Sequence, residues 1–279
     1  MTVIDMLARW SSRSTPLAGR KVVYTCLFGQ SEHWNDFHYD RPPNTDFVCF
    51  TDDPTLRSTF WDMRVVAKTN QDSHRQAKNF KHRPHAYFPD HIASLYLDNT
   101  VKLRAPVSDI LRLLGAKGAP IMMFRHPWRN CVYQESRAVI GERYDHVALI
   151  EAQMAAYRAA GYPRRSGLHA TTMMLRRHND SRLVAFAEDW HRELLRFSKR
   201  DQLSFDYVRR LHGLNVLHLP GRLDKNRLMK WPVTKNDARV PRNFDAARYL
   251  ELNPDVAGAG IDPRFHYLHH GFSEGRVHE

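Results

Sequence analysis

Apolar residues come in short runs along this chain, each closed by a polar or glycine break. Lys21-Val22-Val23-Tyr24-Thr25-Cys26-Leu27-Phe28 stops at Gly29, and Asp46 to Thr51 stops at Asp52-Asp53-Pro54. Trp61 to Val66, Ile92 to Leu97, Ile121 to Phe124 and Thr171 to Leu175 are further runs of strand length. Short runs rich in β-branched and aromatic residues between such breaks predict buried strands. Between them the apolar spacing changes to three or four. Ser73 to His82 predicts a helix stopped at Pro84, Val107 to Leu114 a second, and Glu142 to Ala160 a long third closed by Gly161 and Pro163. Ser181 to Phe197 has helical apolar spacing at Leu183, Val184, Phe186, Ala187, Trp190 and Leu194, and a further helix is predicted from Gln202 to Leu211. Strands alternating with helices predict an α/β layered fold.

The two ends differ from this middle. Met1 to Trp10 has the spacing of a short amphipathic helix, and a Ser/Pro/Gly stretch leads from it to Arg20. Residues 1–20 therefore form an N-terminal extension and 21–235 the main domain. A linker is expected near Asn236 to Arg242, before a small module over 243–279. Phe244 to Leu250 and Pro263 to Leu268 predict two short helices there, separated by Asn253-Pro254-Asp255 and by Gly258 and Gly260.

Charge adds a partner class. A formal net charge of +12 attracts anions such as phosphates, acidic glycans, nucleic acid or anionic lipid. The basic residues are spread along the chain with no Lys/Arg tail and no nucleic-acid module, so nucleic acid ranks low as a partner and peripheral contact with an anionic membrane stays open. Cys26, Cys49 and Cys131 have no CxxC spacing, which argues against a disulfide framework and a zinc site. Cys26 and Cys49 lie in apolar runs and are expected as small reduced core residues. No run reaches the ~18 apolar residues of a membrane span, and Met1 to Arg20 lacks a signal-peptide pattern. The expected location is cytoplasmic, with room for peripheral contact at the inner membrane face.

Chemistry gathers where strands end, because ligands of open α/β sheets bind outside the carboxyl ends of strands. Ser94-Leu95-Tyr96-Leu97 runs into Asp98-Asn99-Thr100. A carboxylate at such a tip suits a divalent cation that neutralises a phosphate; an Asx turn is the competing reading. Asp52 suits the ribose or base of a nucleotide, or else a plain turn. Arg75, Lys78 and His82 share a helix face, with Lys81 just off it. That face suits a diphosphate, with bidentate Arg contacts, or is a solvated basic surface. Within His126 to Glu135, His126 is a ligand or base, Arg129 a phosphate binder and Glu135 a partner for a sugar hydroxyl. An ordinary polar loop entering a helix is the alternative. Asp201 is either a helix N-cap or a carboxylate that deprotonates an acceptor hydroxyl. His218, ahead of Gly221 and Lys225, is a candidate to complete a metal site beside Asp98.

These pieces, in this order, resemble the TOD/MUCI glycosyltransferase-like family. The matching text is Val23 to Gly29, Phe50-Thr51-Asp52, Arg75…Lys78…Lys81…Pro84-His85 and Ser94 to Asp98. It continues with His126…Arg129 to Glu135, Arg176-Arg177-His178 and Arg200 to Phe205, within Lys21 to His218. The resemblance implies a GT-A-like (Rossmann-like) fold, a mixed, mostly parallel sheet flanked by helices. It also implies an enzyme that moves a sugar from a nucleotide-diphosphate donor to a hydroxyl of a glycan or glycolipid. It implies Asp98 near the donor phosphates and Asp201 near the reaction centre; with the residues read above, the expected catalytic residues are Asp201, Glu135 and His126, and the expected donor-binding residues Asp52, Arg75, Lys78, Asp98 and Arg129. Metal-dependent transferases of this type hold manganese or magnesium at an Asp-x-Asp; here Asn99 and Thr100 follow Asp98, so the second carboxylate is missing. His218-x-x-Gly221 is similar to the His-x-x-Gly-x-x-Lys motif of glycogenin-like transferases, with Lys225 one residue late, and gives the expected metal pair Asp98 and His218. The tail, from Phe244-Asp245 to Gly275-Arg276, resembles a short module attached to bacterial glycosyltransferases, which implies surface-polysaccharide synthesis. The missing carboxylate motivates a rival: a non-catalytic glycan-binding or scaffold protein on a decayed transferase fold.

Overall fold

The computed structural model describes residues 17–29, 33–69, 71–115, 120–233, 244–271 and 274–278. The helix expected at Met1 to Trp10 and the linker expected near Asn236 to Arg242 lie outside the described residues. The chain divides into two compact units, Met1–Lys230 and Trp231–Glu279.

The first unit is built on strands β1 (Arg20–Leu27), β2 (Thr45–Thr51), β3 (Asp62–Val65), β4 (His91–Leu97), β6 (Ile121–Arg125), β7 (His169–Arg176) and β8 (Val216–His218). They form one sheet in the order β3-β2-β1-β4-β7-β6-β8. Two further strands, β5 (Lys102–Leu103) and β9 (Met229–Lys230), pair separately. Within the large sheet only β7 runs antiparallel to its neighbours, β4 and β6. The carboxyl ends of β1, β2, β4, β6 and β8 therefore share one rim with the start of β7. The α/β expectation of a mixed, mostly parallel sheet flanked by helices holds.

Both faces of the central strands are covered, as a parallel sheet requires: β1 is buried from Val22 to Leu27 and β7 along its whole length. Helices α1 (Ser73–His82), α2 (Pro84–Tyr87), α3 (Val107–Gly115), α4 (Val132–Gly141), α5 (Val147–Ala159), α6 (Ser181–Arg196) and α7 (Gln202–Leu211) provide the cover. One core joins Tyr24, Phe50, Phe80, Phe88, Met174 and Trp190. A second lies under α4 and α5, around Val132, Val139, Ile150, Met154 and Leu203. Among the described residues no helix is long and apolar enough to cross a membrane.

Two helix expectations change. The helix expected from Glu142 to Ala160 starts later, as α5 at Val147, and is preceded by α4, which was not expected as a separate helix; Arg143 at φ 54 lies in the break between them. A non-glycine residue in that left-handed region interrupts a helix. In the second unit Asn253-Pro254, expected as a break, starts a helix instead. The order there is α8 (Ala246–Leu252), α9 (Pro254–Gly258) and α10 (Pro263–His266), with Pro254 and Pro263 early in their helices, where the missing N–H costs nothing. Phe244, Tyr249, Val256 and Tyr267 form the core of this unit.

Candidate functional site

Asp98 follows β4 at the rim. Its N–H donates to Thr172 O of β7 (2.9 Å), which holds the strand tip against its neighbour. The carboxylate Oδ1 accepts from the Tyr96 hydroxyl (2.8 Å) and from Lys81 Nζ (3.3 Å). The side chain is 34% exposed, and both of these bonds fall on one oxygen. Lys81 comes from the last turn of α1, fixed to β1 by the Tyr24 hydroxyl donating to Lys81 O (3.1 Å). Its ammonium also lies 2.8 Å from Asp201 Oδ2, with side-chain exposures of 5% and 3%. That contact is Coulombic, because Asp201 Oδ2 has no partner with hydrogen-bond geometry. Thr171 of β7 completes the hub: its hydroxyl accepts from Lys81 (3.4 Å) and donates to Asp201 Oδ1 (3.3 Å).

Asp201 holds the N-cap position of α7 but makes no side-chain cap bond. Trp190 Nε1 and the Ser204 hydroxyl anchor its carbonyl at 3.0 and 3.1 Å. Burial would raise the Asp201 pKa, but Lys81, Lys78 and His82 hold it well below the usual carboxylate range. Burial opposes the charge on Lys81, yet Asp201 and Asp98 outweigh it and raise the Lys81 pKa. His82 stacks on Trp190 with centroids 3.6 Å apart. Burial pushes its pKa down to about 3, so it sits 3.5 Å from Asp201 Oδ2 as a neutral ring.

The basic face of α1 is divided in use. The Arg75 guanidinium donates to the carbonyls of Leu194 and Phe197 and pairs with Asp72. It closes the carboxyl end of α6, where a cation also meets the helix dipole. That occupies the fork which the sequence offers to a diphosphate. Lys78 differs. It is half-buried, burial lowers its pKa, and among the described residues it makes no hydrogen bond or ion pair.

Asp52 and Asn99 act as clasps. Asp52 Oδ1 accepts from Gly29 N (2.9 Å) and joins the ends of β1 and β2; Lys68 Nζ lies 3.9 Å away. Asn99 Oδ1 accepts from Asn35 N (3.0 Å) while Asn99 Nδ2 donates to His33 O (2.6 Å). An amide can do both and a carboxylate cannot, which accounts for Asn at position 99; the second carboxylate of an Asp-x-Asp would fall at Thr100. Trp34, Phe37, Tyr39 and Trp61 then wall a cleft against Asp98 of about 10 Å³, space for a single water.

A second cluster sits beside the hub. Glu135, buried on α4, takes Arg129 Nε on Oε2 and Gln202 Nε2 on Oε1 (2.7 Å). Gln202 follows Asp201, so the two clusters share a backbone joint. His126 Nδ1 accepts from the N–H groups of Trp128 (3.3 Å) and Arg129 (3.0 Å), and its Nε2 lies 3.6 Å from Glu135. Burial lowers the His126 pKa. Trp128 next to it is 60% exposed.

His218 goes elsewhere. Its Nε2 lies 3.2 Å from His169 Nε2 and accepts from Arg125 Nε (3.2 Å). Asp206 in turn holds His169 Nδ1 at 2.7 Å. Strands β8 and β4 are three places apart, about 14 Å at the usual spacing. Among the described residues no group of three or more His, Cys, Asp and Glu is placed to hold a metal ion. The expected pair Asp98 and His218 does not fit a shared ion: each is bonded to its own partners, and the nearest charge to Asp98 is the Lys81 cation. Sequence reasoning missed Lys81 and Thr171 as hub members; the i, i+3 spacing of Lys78 and Lys81 was the available signal.

A family model described as TOD1/MUCI70, glycosyltransferase-like domain, matches residues 51–217. The matched stretch runs from the end of β2 into β8 and includes Asp52, Lys81, Asp98, Glu135 and Asp201. No curated protein matches the chain.

Proposed function

This chain belongs to the TOD1/MUCI70 glycosyltransferase-like domain family, and we propose that it moves a glycosyl group from a nucleotide-diphosphate sugar to a hydroxyl of a glycan or glycolipid, in bacterial surface-polysaccharide synthesis at the cytoplasmic face of the membrane. One observation carries the reading: a half-open carboxylate, Asp98, and an amine, Lys78, that makes no ion pair among the described residues stand beside a buried Lys81–Asp201 pair at the carboxyl rim of the sheet. A perturbed buried charge cluster at such a rim is a functional-site signature.

The chemistry divides among these residues. As the acceptor oxygen bonds to the anomeric carbon and the bond from that carbon to the phosphate oxygen breaks, negative charge grows on the leaving diphosphate, and Lys78, without an ion pair among the described residues, supplies a cation to meet it. Asp98 Oδ2 is the oxygen left for the acceptor hydroxyl and its proton. Asp201 is too enclosed to meet an acceptor directly; it holds Lys81 charged and in place. Glu135, Arg129 and His126 shape the neighbouring wall, with the exposed Trp128 ring as a surface for a sugar. Donor hydrolysis across a panel of nucleotide sugars tests the reading: at least one donor turns over, and Asp98→Asn loses that turnover. The small size of the cleft beside Asp98 favours a second reading, a glycan-binding scaffold on a decayed transferase fold. Calorimetry showing no binding of any nucleotide sugar would select it.

A further inference from the structure

Away from this hub, α4 and α5 enclose a groove of about 370 Å³. Its two ends differ chemically. Ile140 and Ile150, nearest the connecting turn, make one end apolar, and exposed Tyr144 and Val147 lie in and just after that turn. At the other end Arg158 stands 5.5 Å from the Tyr133 ring centroid, and Arg164 and Arg165 enter from the loop after α5. Arg137 lies between. All four arginines are exposed, and among the described residues none makes an ion pair or a side-chain hydrogen bond. Glu151 is the one acid in the lining, and it pairs with none of them.

Arg165 also holds φ 59, a left-handed conformation uncommon outside glycine. The loop that carries it is pinned by Gly167 N donating to Asn130 O (3.0 Å). Strained backbone of this kind persists where the surroundings impose it, and it clusters at ligand sites. Four like charges drawn from three elements repel one another until an anion sits among them. Guanidinium forks match phosphate oxygens. The groove is larger than a phosphate needs, and Ile140, Ile150 and Met154 give the rest of its lining an apolar strip beside Glu151, Gln134 and Ser136.

We propose that this groove binds a lipid phosphate, with its head between Arg137, Arg158, Arg164 and Arg165 and its chain along Ile140 and Ile150. Glu135 projects from the opposite side of α4, so the lipid would rest on the outer face of a helix whose inner face joins the catalytic rim.

Calorimetry on the whole chain tests this with dihexanoyl phosphatidate as probe, beside inorganic phosphate and neutral dihexanoylglycerol. The phosphatidate is expected to bind, with each of the other two about tenfold weaker or worse. Arg137→Glu/Arg158→Glu should weaken phosphatidate binding by at least about tenfold. Arg182→Glu/Arg192→Glu makes the same change of net charge at other exposed positions and should leave it alone. Donor hydrolysis should be equal in all three proteins, which keeps this test separate from that of the transferase reading. Absence of phosphatidate binding, equal binding of inorganic phosphate, or equal weakening by the two charge reversals would overturn the proposal.

Discussion

At the sheet rim Lys81 is buried between Asp98 and Asp201, whereas in the groove between α4 and α5 four arginines stand exposed with no carboxylate partner. The difference separates two uses of positive charge. A buried pair has fixed geometry, feels little screening and becomes costly once one partner is removed. Exposed cations are hydrated and screened, and removing one changes folding little. The rim therefore suits chemistry that needs atoms held in place, and the groove suits capture of an anion from solution or a surface.

The sharpest way to break this contrast is Lys81→Met. It leaves the Asp201 carboxylate buried without its cation, and urea denaturation should show a loss of about 3–5 kcal/mol. Lys81→Met/Asp201→Leu should regain most of that stability without regaining turnover. A loss under about 1 kcal/mol for the single change would make the pair no different from a surface bridge. Lys78→Met should leave stability nearly unchanged and lower donor turnover by roughly 10²–10³, the range for losing one donor to a developing anion.

The pH profile sharpens the comparison next. His82 titrates at about 3, and His178 and His191 at about 4, each pushed below 6.5 chiefly by burial. The unfolded chain binds protons at these rings before the folded one does, so stability should fall as pH drops from 6.5 towards 4. The depressed Asp201 acts lower: its contribution is full above the ordinary carboxylate pKa and is lost only as pH falls through its folded value. Thermal melts at stepped pH should show the histidine limb first, and His82→Phe, which keeps an aromatic ring against Trp190, should flatten it. The smallest effect belongs to Arg158→Glu, which should shift stability by no more than about 0.5 kcal/mol.

Much of the framework was legible because β1, β2, β4 and β7 are continuous apolar runs, and their burial follows directly from that pattern. Helix α4 was not, since its inward stripe mixes Val132 and Val139 with buried Glu135 and Ser136. A polar residue that belongs inside looks the same in sequence as one facing water. Asp98 at a strand tip was visible from the run that precedes it. Its link to Asp201 was not, because a helical wheel shows which residues share a face and not what lies opposite. Arg75 shows the same limit, as its partners Leu194 and Phe197 are 119 and 122 positions away. The missing second carboxylate after Asp98 was plain, but the clasp of Asn99 on His33 and Asn35 appears only once the chain is folded. The groove arginines carried no signal in the sequence: that Arg137, Arg158, Arg164 and Arg165 come together depends on how α4 and α5 pack.

The most direct measurement is single-turnover hydrolysis of the best nucleotide sugar by the wild type and by Asp98→Asn, with melting temperature and donor affinity recorded alongside. A carboxylate at the reacting centre predicts a rate lower by roughly 10²–10⁴ in the variant, with melting temperature and affinity close to wild type. Wild-type rates in Asp98→Asn would contradict that placement.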